Sequence, residues 1–214
     1  MKKQFNYRQL LGENNPLLRF PALHEASLDE FSQKTYEEAS LNDILKKGKM
    51  SKGSFYHHFG DKFGLYLAML DLILKKKYSF FMPILAEKSN SGDFFGVIRS
   101  VIQASYEFMM VDPRMYHLSN HFLETDERTR ESILVYFSFD YGQGFGSLIT
   151  SAIHSGQIDR HFSADFLIGV LALFFSNIHK LLPPHSSSTE ALTTLDQIID
   201  LIQYGILSKK GETE

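Results

Sequence analysis

The sequence predicts an all-α protein. Apolar residues recur every three or four positions in successive segments, as one face of a helix requires, and no segment alternates apolar and polar residues like a strand. The 214 residues include 19 Phe and no Cys, so we expect a sizeable core held by apolar packing without disulfides. Helices packed on helices are therefore predicted throughout, in a small N-terminal part and a larger second part, with no internal repeat.

The first predicted helix follows an N-terminal arm. Residues before Asn15 show no clear periodicity, and we interpret them as a frayed arm, with order beginning at about residue 17. Pro21 suits the first turn of a helix, because its missing N–H is not needed there. The helix face that follows carries Leu23, Ser27 and Phe31 at helical spacing.

Two short helices separated by a glycine-containing turn are predicted next. Ser40, followed three residues later by Asp43, resembles a capping box, in which each side chain bonds to the other residue's backbone N–H. We expect Gly48 to end this helix in the left-handed conformation and Ser51 to be the N-cap of the next helix. Asp61 is expected to cap a fourth helix. Helix, turn and helix in this order form the outline of a helix-turn-helix.

The second part is predicted to contain five more helices. Their approximate ranges are 94–110, 113–124, 126–154, 164–182 and a last helix that reaches about residue 206. We place the boundary between the two parts after Lys77, which gives domains of 1–77 and 78–214.

Charge is distributed unequally between the two parts. Residues 1–77 contain 13 Lys and Arg against 9 Asp and Glu, whereas residues 78–214 contain 9 against 16. A basic excess in the small part fits a surface that meets nucleic acid. The longest apolar run, Phe166 to Phe175, is about half of the ~20 residues that a membrane-spanning helix needs, and no signal-peptide core follows the basic start. These observations predict a cytoplasmic protein.

Residues 51–62 carry the most specific motif in the chain. They read S-K-G-S-F-Y-H-H-F-G-D-K and come directly after the short helix capped by Ser40. With the rest of the stretch from Leu23 to about Leu74, this segment resembles the helix-turn-helix of the TetR (tetracycline-repressor) family of bacterial regulators. The sequence departs from the family pattern at two positions, since Thr35 replaces the usual Gly before the aromatic residue and Ala39 replaces the usual Thr before Ser40.

The resemblance and the geometry of a helix-turn-helix imply a set of DNA-contacting residues. The first residues of the second helix lie nearest the bases in the major groove, whereas hydroxyl groups, amines and backbone N–H groups bond to phosphates. The residues expected in the groove are Lys52, Gly53, Ser54 and Tyr56. The family pattern places phosphate contacts at Ser40, Tyr56, His57 and Lys62. Phe55 and Phe59 are expected to anchor the helix in the core.

The resemblance also implies what the second domain does. Members of the family use it to bind a small molecule and to dimerise, usually through the last two helices. We therefore expect a homodimer, a roughly palindromic operator and a small-molecule effector of unknown identity, with no cofactor. Polar residues among apolar neighbours are candidates for orienting such an effector. The candidates are Gln103, Tyr106, His117, His121, Tyr136, Asp140, Tyr141, Gln143 and Asn177.

Other interpretations of these residues stay open. Each polar candidate is also compatible with an ordinary surface or core position. His117 and His121 share a helix face at a spacing that suits a metal ion, but two histidines without a third ligand are weak evidence, so no metal is predicted. No catalytic triad, acid pair or nucleotide motif is present, and an enzyme is not expected. The leading hypothesis is a ligand-responsive dimeric repressor, and the alternative is a small-molecule binding or interaction protein of the same fold without specific DNA binding.

Overall fold

A computed structural model of the chain describes residues 5–88, 92–137, 141–181 and 188–206. These residues form ten α-helices and no strand, which confirms the all-α prediction. None of the described helices is long and apolar enough to cross a bilayer. The helices are α1 Pro21–Gln33, α2 Leu41–Lys47, α3 Lys52–Phe59, α4 Lys62–Lys88, α5 Phe94–Val111, α6 Pro113–Glu124, α7 Glu127–Leu134, α8 Tyr141–His154, α9 Ala164–Leu181 and α10 Ser188–Ile206.

The described residues belong to two compact units. The first unit lies within Met1–Ser79 and Met109–Ser138, and the second within Phe80–Phe108 and Phe139–Glu214. Residues 109–137 thus pack with the N-terminal helices, although they follow the predicted domain boundary at Lys77. One reason is electrostatic, because Arg114 at the start of α6 pairs with Asp29 and, at 3.0 Å, with Glu25, both on α1. The functional division at Lys77 stays a prediction.

Residues 5–19, called the arm from here on, form regular turns, so the interpretation of the segment before Asn15 as frayed is wrong for residues 5–14. The arm forms three 3-10 turns at Tyr7–Leu10, Gly12–Asn14 and Pro16–Arg19. The buried Asn15 amide donates to the Ala68 carbonyl at 2.8 Å and to the Asp71 carboxylate at 3.0 Å. These bonds satisfy polar groups that would be costly to bury alone, and they fix the arm to α4. Turns of three or four residues are too short to show the α-helical period in the sequence, so the sequence did not predict them.

The predicted helix from residue 126 to residue 154 is wrong, because the structure has two helices there. Asp126 caps α7 by accepting a bond from the Thr129 N–H at 3.1 Å. At the other end, Tyr136 and Phe137 donate their N–H groups to the carbonyls three residues back. Bonds of this 3-10 type tighten a last turn and end a helix. α7 therefore ends at Leu134, and α8 begins at Tyr141.

The second unit is built around an apolar core formed by α5, α8, α9 and α10. On its surface, Arg99 of α5 bonds to Asp196 at 2.8 Å and also to Asp200, both on α10. The apolar core and these exposed ion pairs together fix α10 against α5. The buried side chains of this core are Phe94, Phe95, Ile98, Ile102, Ile149, Ala152, Ile158, Leu167, Leu171, Leu195, Ile198 and Ile199.

Candidate nucleic-acid interface

Ser40 begins α2, as predicted, but only half of the predicted capping box forms. Its hydroxyl oxygen accepts a bond from the Asp43 N–H at 3.3 Å. Its own N–H donates instead to the Glu30 carboxylate at 2.9 Å, and Lys34 donates to the same oxygen at 2.6 Å. Glu30 lies on α1 and is buried. A residue of the first helix therefore fixes the start of the second, which local spacing could not predict.

Replacement of Glu30 by Gln is expected to lower the free energy of unfolding by about 1–3 kcal/mol at pH 7. Burial raises the pKa of Glu30, but the bonds from Lys34 and Ser40 outweigh it and hold the pKa below its usual value. A lowered folded-state pKa means that this stabilisation is present above the unfolded-state pKa and is lost as the pH falls through the folded-state pKa. Urea denaturation at pH 7 and in acid checks both effects.

The exposed Glu13 offers a matched control for this change. The Glu13→Gln variant loses the same charge and is expected to unfold within about 0.5 kcal/mol of the parent. An equal effect of the two substitutions at pH 7 would show that Glu30 does not hold α2.

The turn between α2 and α3 differs from the predicted one. Gly48 has a right-handed φ of −76°, and the residue with a positive φ is Lys49, at 53°. Gly48 is required for a different reason, because a Cβ there would lie 2.9 Å from both Cα and Cδ1 of Leu23. The glycine lets the end of α2 approach α1 closely. The prediction of a left-handed Gly48 is therefore wrong.

α3 presents two chemically different faces. The Ser51 hydroxyl oxygen accepts a bond from the Ser54 N–H at 3.2 Å, which confirms Ser51 as the N-cap. Phe55 and Phe59 are fully buried and their rings stack with centroids 5.6 Å apart, as expected of anchors. The outer face carries the exposed Lys52, Gly53 and His57, the half-exposed Tyr56 and the partly buried Ser54. Contact of these residues with DNA stays a prediction.

The corner between α3 and α4 is closed by the arm. Gly60 has a φ of 78°, a conformation that glycine adopts readily, and the Phe5 ring lies where a side chain on Gly60 would project. Asp61 caps α4 by accepting a bond from the Gly64 N–H at 3.0 Å, as predicted. The same carboxylate accepts a 2.6 Å bond from the Tyr7 hydroxyl. The arm therefore supports the end of the helix that carries the predicted DNA face.

Lys62 has internal partners that the family pattern does not imply. Its amine donates to the carbonyls of Glu37 and Ala39, at 3.1 Å each, and lies 4.7 Å from the centre of the Tyr36 ring. Burial lowers the pKa of Lys62, and Glu37 offsets this only in part. An ammonium group has three N–H donors, so one is left for the predicted phosphate contact. The other two hold the turn that precedes Ser40.

Tyr136, a predicted ligand contact, lies in an aromatic cluster of the first unit. Its ring is 6.0 Å from those of Tyr7 and Phe63, and the Arg8 guanidinium lies 5.7 Å from its centre. These contacts join the segment after α7 to the arm and to the start of α4. They give Tyr136 a packing role, whether or not an effector reaches it.

The other predicted ligand contacts are distributed over both units. His117 is exposed, and His121 lies 2.9 Å from Glu124. In the second unit, Gln103 bonds to Glu107 at 3.0 Å, and Tyr106 packs against the apolar core. Asp140 lies outside the described residues, as do the side chains of Tyr141, Gln143 and Asn177. The assignment of these residues to an effector site stays a prediction.

The second unit contains a small open cavity of about 170 Å³. Its lining includes Asp93, Val97, Ser151 and Gln157, and none of the candidate ligand residues. Within the part of the chain that the structure describes, no three His, Cys, Asp or Glu side chains converge on a point where a metal ion could bind.

The region that contains the candidate interface is similar to known proteins. Residues 23–69 match the family model of the bacterial regulatory proteins of the tetR family. The N-terminal region of this chain is therefore similar to the helix-turn-helix region of tetR-family regulators. The match begins in α1, includes the whole of α2 and α3 and ends within α4, so it covers the helix-turn-helix whose geometry is described above.

A curated relative with the same region is the uncharacterized HTH-type transcriptional regulator YuxN of Bacillus subtilis. It is 40% identical over 55 residues, which are 26% of this chain and 19% of the relative. The chain therefore aligns with about a fifth of the relative's length, and the likeness concerns the tetR-family helix-turn-helix.

Solved structures are similar over most of the chain. A TetR family transcriptional regulator from Chloroflexus aurantiacus has a TM-score of 0.67 and 21% identity, with 88% of this chain and 93% of that chain covered. The ketosteroid transcriptional regulator KstR2 of Mycobacterium tuberculosis has a TM-score of 0.66 and 14% identity, with 89% and 96% covered. At these identities the likeness shows a shared fold, in which a tetR-type helix-turn-helix precedes a helical C-terminal domain.

Proposed function

We propose that this tetR-family regulator is a ligand-responsive dimeric repressor that binds operator DNA through the outer face of α3. The observation that carries the proposal is the contrast between the two faces of that helix. Phe55 and Phe59 are fully buried, whereas Tyr56, between them in sequence, is 50% exposed. A helix anchored on one side and polar on the other is what the major groove accommodates.

The outer face of α3 offers groups that bases and phosphates bind. Lys52 and Tyr56 lie four residues apart and therefore share one side of the helix. The Lys52 amine suits the O6 and N7 acceptors of guanine, and Gly53 lets the helix approach the bases closely. The hydroxyl of Tyr56 and the ring N–H of His57 suit phosphate oxygens.

The charge around α3 supports the same proposal. Residues 46–60 contain four Lys and neither Asp nor Glu. Lys46, Lys47, Lys49 and Lys52 are all exposed. Cations on such a surface release counterions from DNA when they meet phosphates, so binding is expected to weaken steeply as salt is raised.

Exposed apolar side chains on α9 and α10 support a dimer. Phe166 is 56% exposed, Leu201 69% and Tyr204 76%. Large apolar groups that stay exposed on neighbouring helices favour burial against a partner, and a second copy of the chain is the partner proposed. A twofold dimer would present two copies of α3 at half-sites about 34–36 Å apart, on a roughly palindromic operator.

Release by a small molecule is proposed from the likeness to regulators such as KstR2, whose name indicates ketosteroids. A ligand weakens DNA binding if it prefers a dimer in which the distance between the two α3 helices does not match the distance between the half-sites. DNA then weakens ligand binding by the same factor. The effector is expected to be largely apolar, because the core of the second unit is rich in Phe, Ile and Leu.

The proposed function is tested by selecting duplexes from a random DNA pool with the purified protein. Enrichment of one palindromic sequence, bound by two chains and released as salt is raised, is the expected result. Assembly or ligand binding without any enriched sequence would contradict DNA recognition and favour a binding protein of the same fold.

A further inference from the structure

Arg19 is an exposed cation at the end of the third 3-10 turn, immediately before α1. Among the described residues, no acidic side chain forms an ion pair with it. Arg8, the other arginine of the arm, differs because its guanidinium lies over the Tyr136 ring and bonds to the Val135 carbonyl. Arg19 therefore keeps its five N–H donors available to a partner.

The contacts of the adjacent Phe20 show where Arg19 lies. The Phe20 ring is 5.0 Å from the ring of His58 and 6.5 Å from that of Phe59, both in the last turn of α3. Burial lowers the pKa of His58, and the nearby charges of His57 and Arg19 lower it further. Arg19 is thus beside the end of α3 on the edge that carries His58.

That edge adjoins the predicted DNA face. His58 follows His57 directly and lies four residues, or about one helical turn, after Ser54. The 54 and 58 positions therefore form the border between the outer face of α3 and the start of α1. Arg19 adds a permanent positive charge to this border.

A border that carries this positive charge is suited to binding an anion. Like charges placed side by side repel one another, and no acid on the described surface pairs with Arg19 to offset this. The planar guanidinium forms two parallel hydrogen bonds with a phosphate group, which makes Arg well suited to phosphate recognition. DNA that enters along α3 would bring its sugar-phosphate backbone to both edges of the helix.

We propose that Arg19 binds a phosphate of the operator on the Ser54 and His58 edge of α3. This contact lies outside the residues that the family pattern assigns, and it comes from the arm instead of the helix-turn-helix. The inference rests on the proposed DNA-binding function and adds a second line of phosphate contacts to it. As a phosphate contact, Arg19 contributes affinity without sequence preference.

The test compares Arg19→Ala, Arg19→Lys and the matched control Arg160→Ala, in which an exposed arginine of the second unit is removed. Binding of each variant is measured over a range of salt concentrations. The probes are a duplex selected by the parent protein and a scrambled duplex of equal length. Thermal unfolding of each variant, followed by circular dichroism, shows whether the fold is retained, which the exposure of Arg19 leads us to expect.

The expected result is that Arg19→Ala lowers the slope of log K against log salt by about 0.9, the value for one phosphate contact. Its affinity should fall several-fold and equally for both duplexes, whereas Arg160→Ala leaves both unchanged. Arg19→Lys should keep the slope and recover part of the affinity, because it keeps the charge but not the fork of donors.

Two results would overturn the inference while leaving the proposed function intact. One is a slope and affinity for Arg19→Ala that equal those of the Arg160→Ala control. The other is a loss confined to the selected duplex, which would make Arg19 a base contact. If the parent protein binds no duplex in a salt-dependent way, the proposed function fails, and the inference fails with it.

Discussion

Replacement of Phe59 by alanine is expected to lower the free energy of unfolding of the first unit by about 3–5 kcal/mol. The side chain is fully buried, its ring stacks on Phe55, and the Phe20 ring lies 6.5 Å away. The substitution removes this apolar surface from the interior and leaves a cavity between α3 and Phe20, the residue just before α1. Urea denaturation followed by circular dichroism measures the loss.

Tyr56→Ala is the matched control, since Tyr56 is an aromatic residue of the same helix that is half exposed. Its removal is expected to change the free energy of unfolding by much less than the removal of Phe59, while it weakens DNA binding. Equal destabilisation by the two substitutions would contradict the assignment of α3's inner and outer faces.

Replacement of Lys77 by Met is expected to stabilise the protein at pH 7 by about 1–3 kcal/mol. The Lys77 amine donates to the Ser119 hydroxyl at 2.9 Å, and burial lowers its pKa to about 8. None of the described acidic side chains pairs with this ammonium group to offset its removal from water. Met has a similar length and no charge. The substitution therefore removes the cost of desolvating the ammonium group and loses the hydrogen bond to Ser119.

The stabilisation by Lys77→Met depends on pH in a defined direction. Between about 8 and the ordinary lysine pKa of 10.5, the unfolded state binds more protons than the folded state. The parent protein therefore gains stability as the pH rises through this window, and below it both states are protonated. The advantage of Lys77→Met should be constant below about pH 8 and should shrink toward pH 10.

Urea denaturation of the parent and of Lys77→Met at pH 7, 8, 9 and 10 measures this dependence. Lys76→Met is the matched control, because Lys76 is the exposed neighbour on the same helix. If Lys76→Met and Lys77→Met depended on pH in the same way, the partial burial of Lys77 would not be what lowers its pKa.

Local signals in the sequence predicted the helix starts of the first unit. Ser40, Ser51 and Asp61 cap α2, α3 and α4 as expected, because a cap depends on residues two or three positions away. The inner and outer faces of α3 were predictable for a similar reason, since helical spacing alone separates Phe55 and Phe59 from Gly53 and His57.

Contacts between distant residues account for what the sequence did not predict. The arm is ordered because Asn15 bonds to residues more than 50 positions later. Glu30 replaces Asp43 as the acceptor for the Ser40 N–H, and Gly48 serves close packing against Leu23. Neither partner can be identified from spacing along the chain.

The spatial neighbours of the candidate ligand residues could not be predicted from the sequence either. Helical periodicity placed Tyr136 within one long helix, whereas it follows the end of α7 and packs against Tyr7 from the arm. A polar residue among apolar neighbours indicates a pocket only when the neighbours in space are known, and for Tyr136 they are aromatic residues of the first unit.

The claim that α3 reads DNA is tested most directly by the double variant Lys52→Ala/Tyr56→Ala. Its affinities for the selected duplex and for a scrambled duplex are measured at one salt concentration and compared with those of the parent and of Arg160→Ala. The ratio of the two affinities should fall toward one in the double variant and stay at the parent value in Arg160→Ala. A double variant that folds and keeps the full ratio would show that sequence is read elsewhere.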